Sequence, residues 1–329
     1  MKKLRWGILS TAKIGLKKVI PAMQKSKLCE IRAIASRNLE KANEVSLRHG
    51  IPKAYGSYDK LIEDREIDAV YIPLPNHLHV KWSIKSLEAG KHVLCEKPIG
   101  LSTNEIEKLI QFSKKNPKLK IMEGFMYRHH PQWKMTKKLV EKGKIGELKN
   151  IDSFFSYYNT NPKDIRNISE IGGGGMMDIG CYCISLARFI YGKEPIKVFG
   201  KLENDPKFNT DRICSGIMEF PKGISTFTCS TQLVPYQKVN LFGTKGRIEI
   251  EIPFNAPADK ECKIIHQFED KLDEISFELC DQYTLQGDLF SMAVLNNTKV
   301  PTPISDSLAN MNVLEKILNS SLSNSWSLI

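Results

Sequence analysis

Short apolar runs alternate with helical patterns through the first third of the chain. Residues 4–10 form the first apolar run, and a helical pattern follows over residues 15–26. Such alternation is typical of parallel strands joined by crossover helices. The remaining predicted strands are 30–36, 68–74, 92–96 and 120–124, and the remaining predicted helices are 39–49, 77–89 and 102–115. The pattern therefore predicts a doubly wound α/β sheet.

The pattern changes after about residue 123. A helical pattern over 132–142 and a run of glycines at 172–175 are followed by apolar runs at 198–202, 214–220, 225–231 and 247–252. The spacing of these runs predicts a second, mostly antiparallel sheet, and a last helix is predicted over 306–319. A chain of 329 residues also exceeds what one hydrophobic core usually serves. We therefore predict two domains, residues 1–122 and 123–329.

Charge and cysteine usage narrow the class of protein. Lysine and arginine exceed aspartate and glutamate by 11, but the lysines are scattered over helical stretches such as Lys114-Lys115 and Lys137-Lys138, so we expect no nucleic-acid partner. No apolar run reaches the roughly 20 residues that cross a bilayer, and the start lacks a secretory pattern. The eight cysteines include no CxxC pair. We expect reduced thiols, no membrane partner and a cytoplasmic protein.

The turn after the first predicted strand carries small residues. It reads Ser10-Thr11-Ala12-Lys13-Ile14-Gly15, at the place where doubly wound sheets carry a dinucleotide fingerprint of the form G-x-G-x-x-G. Two of the three glycines are replaced, but by residues small enough for a pyrophosphate to approach the helix N-terminus. We predict a dinucleotide site made by Ser10, Thr11, Ala12, Ile14 and Gly15. An ordinary strand-to-helix turn explains the same residues equally well.

The end of the second predicted strand favours NADP(H) over NAD(H). An NAD-specific site places an acidic residue there, about 20 residues after the fingerprint, whereas this chain has Ser36 and Arg37. A guanidinium and a hydroxyl are donors suited to a 2′-phosphate. We therefore predict that both residues bind the cofactor, with NADP(H) preferred and NAD(H) second. The alternative is an exposed arginine in a strand-to-helix loop.

Two segments of the first domain carry polar residues at the edge where open α/β sheets bind ligands. Residues 74–79 follow one predicted strand, and residues 95–98 follow the next and contain Glu96 and Lys97. These positions predict a contribution to the site. A Glu-Lys ion pair in a surface turn is the alternative.

Asp178 and Tyr182 are the candidate reactive residues of the second domain. They are four residues apart and share one face if a helix begins near Met176. Hydride transfer at a carbon also requires movement of the proton on the attached oxygen, and Tyr182 can move it if a cation such as Lys97 favours the phenolate. Asp178 can then orient a substrate hydroxyl. A core tyrosine in a buried helix is the alternative.

The chain resembles the glucose-fructose oxidoreductase, inositol dehydrogenase and rhizopine catabolism family, written Gfo/Idh/MocA. The resemblance rests on the segments WGILSTAKIG, AIASRN, PLPNHLHV, AGKHVLCEKP, FMYRHHPQ, GGGGMMDIGCYCI and NVLEKILNSS, which follow the family order over nearly the whole chain. The EKP and D-x-G-x-Y elements are the most specific. The resemblance implies a Rossmann dinucleotide-binding domain over 1–122 and an α/β domain for substrate binding and oligomerisation, with a large open sheet, over 123–329.

The resemblance also implies a role for each matching residue. Lys97 is expected between the nicotinamide ribose and the substrate, and Asp178 and Tyr182 complete the catalytic group. The cofactor-lining residues are Leu74, Pro75, Asn76, His79, Glu96 and Lys97, and the substrate-binding residues are Arg128, Gln132, Arg166, Asp178 and Tyr182. Homodimers or homotetramers formed through the open sheet are common in the family.

Two departures from the family pattern point to one branch. Many relatives carry histidine where this chain has Tyr182, and most have more glycines in the fingerprint. In having tyrosine at this position, the chain resembles the branch that contains glucose-fructose oxidoreductase, dimeric dihydrodiol dehydrogenase, xylose dehydrogenases and sugar-nucleotide ketoreductases. That branch commonly uses NADP(H). The clustered histidines at 77, 79, 129 and 130 lack metal-ligand spacing, so we expect no metal.

The leading hypothesis is an NADP(H)-dependent oxidoreductase. It acts on a secondary alcohol, ketone or hemiacetal of a sugar, a sugar nucleotide or a vicinal diol. Two alternatives stay open: a dinucleotide-binding regulatory protein without catalysis, and a redox-neutral sugar enzyme that keeps its cofactor bound. Lys97 and Tyr182 speak for catalysis, because the loss of either would favour the regulatory protein.

Overall fold

The computed structural model describes residues 2–329, which divide into two compact units. Unit one contains the chain up to Met126 and returns for Tyr283–Leu308. Unit two contains Tyr127–Gln282 and Ala309–Ile329. The sequence predicts one boundary, between residues 122 and 123. The observed division differs because a late segment of the chain packs within the first unit.

Unit one is built on a six-stranded parallel sheet in the order β3-β2-β1-β4-β5-β6. Its strands are β1 Leu4–Leu9, β2 Cys29–Ala35, β3 Lys53–Tyr55, β4 Ala69–Ile72, β5 His92–Cys95 and β6 Ile121–Glu123. The order reverses between β1 and β4, which is where ligands bind in sheets of this kind. The predicted doubly wound fold is confirmed.

Helices connect these strands. They are a π turn at Gly15–Val19 that continues as α1 Ile20–Gln24, then α2 Leu39–His49, α3 Tyr58–Glu63, a 3-10 turn at Asn76–Leu78, α4 His79–Glu88 and α5 Thr103–Lys115. Asn38, Ser57 and Ser102 cap α2, α3 and α5 with side-chain oxygens. The sequence patterns predicted neither β3 nor α3, since both are short.

The core of unit one lies on both faces of the sheet. Trp6 and Ile8 of β1 on one face, and Val70 and Ile72 of β4 on the other, have no exposed surface. Strands covered on both faces need near-continuous apolar runs, which is the pattern seen in the sequence.

Unit two is built on a nine-stranded sheet in the order β14-β13-β12-β11-β7-β10-β9-β8-β15. All neighbouring strands are antiparallel except β7 and β10. The strands are β7 Leu148–Tyr158, β8 Lys197–Asn204, β9 Asp211–Phe220, β10 Gly223–Ser230, β11 Gln232–Gly243, β12 Gly246–Ile250, β13 Cys262–Phe268, β14 Lys271–Phe277 and β15 Ser327–Leu328. The prediction of a second, mostly antiparallel sheet is confirmed.

Helices precede and connect the strands of this sheet along the chain. They are α6 Pro131–Glu141, a π turn at Met176–Gly180 that continues as α7 Cys181–Tyr191, α8 Gln282–Leu295 and α9 Ile304–Ser323, with 3-10 turns at Met126–His129, Ile165–Asn167 and Ser169–Ile171. Of these, α8 from Tyr283 onward and the first residues of α9 belong to unit one. In unit two, α9 packs on β8 so closely that a Cβ at Gly200 would lie 2.6 Å from Ile317 Cγ2.

Helix α8 explains why the late segment joins unit one. The Thr284 hydroxyl donates to the Ala22 carbonyl at 2.8 Å, and the Trp6 indole donates to the Ser291 hydroxyl at 3.2 Å. These bonds connect α8 to α1 and β1 across more than 250 residues of chain. Within residues 2–329, no helix has the length and apolar character required to cross a membrane.

Candidate functional site

The turn after β1 holds Ser10 in a conformation that favours glycine. Its φ is 139°, and a side chain at such an angle is strained. The Ser10 hydroxyl donates to the Pro73 carbonyl at 3.1 Å and accepts the Ala12 amide at 3.2 Å. These two bonds join the turn to the chain that follows β4. Serine therefore takes the place of the first fingerprint glycine and fixes the turn.

The start of the helix after this turn is open to a ligand. Thr11, Ala12 and Ile14 are partly exposed, and Gly15 is buried. A Cβ at Gly15 would lie 3.6 Å from Pro73 Cγ, which is ordinary contact. The first amides of a helix have no carbonyl partner within it, and they attract phosphate. The small, partly exposed Thr11 and Ala12 at this helix start fit a pyrophosphate.

Arg37 stands exposed at the end of β2. The Ser36 hydroxyl accepts the Asn38 amide at 3.2 Å, and Asn38 in turn caps α2 by accepting the Lys41 amide at 3.0 Å. The pKa of the neighbouring Tyr58 phenol is raised, because the effect of burial exceeds the opposing effect of the Arg37 guanidinium. The arrangement presents a guanidinium beside a helix start, which fits a 2′-phosphate.

His79, which the resemblance predicts to line the cofactor, is enclosed by the segments that follow β4 and β5. Its side chain is 1% exposed, and its ring nitrogens lie 2.7 Å from the Leu74 carbonyl and 2.7 Å from the Pro98 carbonyl. Burial lowers its pKa to about 4, although the two carbonyl oxygens favour the protonated ring. His79 thus ties the segment after β4 to the segment after β5. Direct contact with a cofactor stays a prediction for this residue.

The segment after β5 is anchored from both sides of Lys97. The Tyr71 hydroxyl donates to Glu96 Oε1 at 2.5 Å, and Glu123 Oε1 accepts the Ile99 amide at 2.8 Å. The peptide bond between Lys97 and Pro98 is cis. Lys97, Glu96, Pro75 and Asn76 are partly exposed, and Leu74 is buried. The contacts fix the backbone that presents the lysine.

Two donors converge on one oxygen of Asp178 in unit two. The Tyr157 hydroxyl donates to Asp178 Oδ2 at 2.6 Å, and Arg166 Nε donates to the same atom at 2.8 Å. The carboxylate side chain is 13% exposed. Attraction to Asp178 raises the pKa of Arg166, and burial followed by the same carboxylate raises the pKa of Tyr157. Arginine and tyrosine therefore both remain donors at neutral pH.

Asp178 and Tyr182 lie on consecutive turns of one helix. Asp178 is in the π turn Met176–Gly180, and Tyr182 is the second residue of α7. A π turn is wider than an α turn, so residues four apart come closer to one full turn, and such turns are frequent at functional sites. The predicted sharing of one helical face agrees with this geometry.

Aromatic rings surround Tyr182, which is 6% exposed. Its ring centroid lies 5.7 Å from that of Tyr127, 5.5 Å from that of Phe254 and 5.9 Å from that of Phe155. Packing of this kind fixes the direction of the phenol. The sequence did not indicate these three neighbours, which come from distant parts of the chain.

The glycine run before the helix is shaped by the loop that carries Arg166. A Cβ at Gly173 would lie 2.6 Å from the Arg166 carbonyl oxygen. The Gly173 amide donates to the Ile168 carbonyl at 3.0 Å, and the Gly174 amide donates to the Arg166 carbonyl at 2.8 Å. The loop backbone and the glycine backbone therefore touch, which requires the absence of a side chain. Arg166 is thereby placed to reach Asp178.

Arg128 and Gln132, two of the predicted substrate residues, are anchored inside unit two. The Arg128 guanidinium donates to the Ser185 hydroxyl at 2.7 Å and the Ser185 carbonyl at 3.1 Å, and the residue is 8% exposed. Gln132 is fully buried and donates from Nε2 to the Ile252 carbonyl at 2.9 Å. The first contact binds α7, and the second joins α6 to the segment after β12. A substrate role for either residue stays a prediction.

Tyr157 is the residue of this cluster that sequence reasoning missed. It lies at the end of a run of aromatic residues, on the same strand face as Phe155. The only signal in the sequence was that Tyr157 lies two residues after the apolar Phe155. This spacing does not distinguish a packed ring from a hydrogen-bond donor. Among residues 2–329, no group of three or more histidine, cysteine, aspartate and glutamate residues is arranged to hold a metal ion.

Comparison with known proteins matches both parts of the chain to one family. Residues 4–125 match the oxidoreductase family with an NAD-binding Rossmann fold, and residues 133–249 match the GFO/IDH/MocA C-terminal domain. An uncharacterized oxidoreductase from Rhizobium meliloti is 42% identical over 99% of this chain and 99% of its own. The NADP⁺-dependent D-xylose 1-dehydrogenase 2 of Haloferax volcanii is 34% identical over 96% of this chain and 97% of its own.

A solved structure agrees with the fold over nearly the whole chain. The 3-ketoreductase KijD10 from Actinomadura kijaniata, in complex with NADP and TDP-benzene, has a TM-score of 0.91 and 27% sequence identity. The alignment covers 97% of this chain and 98% of KijD10.

Proposed function

The chain belongs to the GFO/IDH/MocA family of NAD(P)-binding oxidoreductases, and from that premise we propose that it transfers a hydride between NADP(H) and the CH–OH group of a sugar-like substrate. The group is a secondary alcohol and its ketone, or a hemiacetal. The observation that carries the proposal is the Asp178 carboxylate, held by Arg166 and Tyr157 one helical turn before Tyr182.

The residues of unit one fit NADP(H). The strained Ser10 keeps the turn after β1 small and fixed, and the helix start beside it suits a pyrophosphate. Exposed Arg37, next to Ser36, suits the 2′-phosphate. We further propose that Leu74, Pro75, Asn76 and Glu96 line the cofactor, as the family resemblance implies.

When bound, the nicotinamide would supply or accept the hydride at the substrate carbon. The chain's own residues handle the proton and the substrate. Tyr182 moves the proton on the substrate oxygen, and Asp178 accepts a hydrogen bond from a substrate hydroxyl and orients it. Lys97 is the third residue of the proposed group, as the family resemblance implies. Arg166 keeps Asp178 ionised, because a neighbouring cation favours the charged carboxylate.

The substrate class rests on the relatives. The Haloferax volcanii protein is named for D-xylose, KijD10 is a 3-ketoreductase solved with TDP-benzene, and a Bos taurus relative at 28% identity is named for trans-1,2-dihydrobenzene-1,2-diol. D-xylose and the dihydrodiol both carry hydroxyl groups on adjacent carbons. A carboxylate beside a proton-transferring tyrosine suits such compounds, because one hydroxyl reacts while its neighbour is held.

We also propose that two copies of the chain associate through the outer face of the nine-stranded sheet. Ile224, Phe242 and Leu272 lie in one cross-strand row of that face, with 45%, 39% and 63% of their surface exposed. Apolar side chains in an uncovered row favour self-association. Sedimentation of the wild type and of Phe242→Asp tests this: a dimer or tetramer that dissociates in the variant supports the proposal, and a monomeric wild type overturns it.

A cytoplasmic location is part of the proposal, supported by the eight free cysteines.

Steady-state nicotinamide absorbance tests the proposed activity. NADP⁺ and NAD⁺ are each supplied with aldoses, inositols, sugar nucleotides and trans-dihydrodiols. Turnover is expected with NADP⁺, and Tyr182→Phe is expected to lower kcat by roughly 10²- to 10⁴-fold while NADPH affinity is kept. Tyr191→Phe is the matched control, since its hydroxyl bonds the Ile224 carbonyl at the far end of α7. Tight NADPH binding without turnover on any compound would instead support a regulatory protein, and cofactor absorbance that persists through purification would support a redox-neutral enzyme.

A further inference from the structure

Asp211 caps the helix that carries Asp178 and Tyr182. It is the first residue of β9, and its Oδ2 accepts the Met176 amide at 2.6 Å. The Gly175 amide also donates to this carboxylate. The helix has glycine at its own N-cap position and no side-chain cap there. A strand 35 residues further along the chain therefore supplies the cap.

The glycine run is built around this carboxylate. Gly174 has a φ of 114°, and a Cβ at that position would collide with Asp211 Oδ1. A Cβ at Gly175 would lie 3.1 Å from Asp211 Oδ2. Two of the four glycines thus leave room for Asp211, just as Gly173 leaves room for the Arg166 carbonyl. The helix start therefore lies between β9 and the loop that contains Arg166, and Arg166 also binds Asp178.

The capping bond lies close to the reactive residues. Asp178 is two residues after Met176, and Tyr182 is six residues after it. The Gly174 amide bonds the Arg166 carbonyl, so a shift of the glycine backbone also moves the arginine that holds Asp178. Loss of the cap would free the first turn to fray or re-form with another pitch. Both side chains would then leave their places.

We propose that Asp211 is a positioning residue of this enzyme: by capping the helix at Met176 and Gly175, it sets where Asp178 and Tyr182 stand relative to the substrate. The inference rests on the proposed oxidoreductase function. A carboxylate at a helix N-terminus also interacts favourably with the helix dipole. Burial raises the pKa of Asp211 to about 7, despite the amides that lower it. The protein thus keeps a carboxylate in a place where its charge is costly.

Asp211→Ala tests the proposal. We expect kcat to fall roughly ten- to a hundred-fold, as for a small misplacement of reacting groups, while the Kd of NADPH changes less than about two-fold. Asp211→Asn should recover most of kcat, because an amide oxygen can still accept the Met176 amide. The matched control is Asp205→Ala: Asp205 accepts the amides of Lys207 and Phe208 at 2.7 and 3.0 Å in the turn between β8 and β9. The control should keep kcat within about two-fold of the wild type.

A double variant separates positioning from mere stability. Because Asp211 acts through the helix residues, Asp211→Ala should add little to the kcat loss of Tyr182→Phe. All rates are measured well below the unfolding midpoint of each variant. If Asp211→Ala does not fold, Asp211→Asn is measured alone, and a kcat loss of about ten-fold or more in that folded variant overturns the proposal. An unchanged kcat in folded Asp211→Ala, or a loss that multiplies fully with that of Tyr182→Phe, overturns the proposal. A wild type without any turnover overturns the proposed function instead.

Discussion

The hydroxyl of Tyr157 provides a sharp test of how Asp178 is held. Tyr157→Phe removes one oxygen and keeps the ring, so the packing of β7 stays almost unchanged. The lost bond is 2.6 Å long and ends on a carboxylate that is 13% exposed. A hydrogen bond to a charged group contributes about 1.5–3 kcal/mol. Since Arg166 still donates to the same oxygen, we expect the lower end, a loss of about 1.5 kcal/mol or about ten-fold in kcat/KM.

The same substitution should change the pH dependence in one direction. The hydroxyl donates to the ionised carboxylate and favours that form, and the raised pKa of Tyr157 keeps it a donor across the working range. Without it, Asp178 takes up a proton more readily. Activity that needs the ionised carboxylate should therefore be lost at a higher pH in the variant than in the wild type as the pH falls.

The assay is kcat/KM for NADP-dependent turnover from pH 5 to pH 9, with Tyr158→Phe as the matched control. Tyr158 is the next residue on β7 and is 65% exposed, on the opposite face of the strand. The control should reproduce the wild-type profile. If Tyr157→Phe has the wild-type kcat/KM and the same acid limb, the reasoning about Asp178 is wrong.

Two further predictions concern the cofactor unit. Arg37→Ala should raise the Kd of NADPH by roughly ten- to a hundred-fold and leave that of NADH nearly unchanged, as measured by fluorescence titration; equal losses for the two cofactors would contradict a 2′-phosphate site. In chemical unfolding, Ser10→Ala should lower the free energy of unfolding by about 1–3 kcal/mol, because alanine keeps the φ of 139° and loses two hydrogen bonds. Ser10→Gly loses the same bonds but relieves about 1–3 kcal/mol of strain, so an alanine variant more stable than the glycine variant would refute the account of this turn.

Local patterns predicted most of unit one. The apolar runs found β1, β2, β4, β5 and β6, because strands covered on both faces need continuous apolar sequence. Ser102 and Glu105 have the spacing of a capping box, and the Ser102 hydroxyl accepts the Glu105 amide at 3.2 Å. The sequence did not predict the short β3 and α3, because three and six residues are too few to show a hydrophobic period.

The proposed reactive residues could be identified from the sequence for a different reason. Lys97, Asp178 and Tyr182 stand in short motifs whose spacing matches the family, so their candidacy required no tertiary information. Their supports were not readable. Tyr157 reaches Asp178 across 21 residues, and Asp211 reaches Met176 across 35. Neither pair leaves a periodic trace in the sequence.

The sequence by itself determined the class of fold and the family, and it indicated the residues that we propose for the chemistry, because periodicity, turn chemistry and motifs act over a few neighbouring positions. Only the tertiary structure decided that Tyr157 and Arg166 share one oxygen of Asp178, that Asp211 caps the helix of Tyr182, and that residues 283–308 pack within unit one. These contacts join distant parts of the chain. Such contacts are fixed by the packing of whole elements, which no local pattern records.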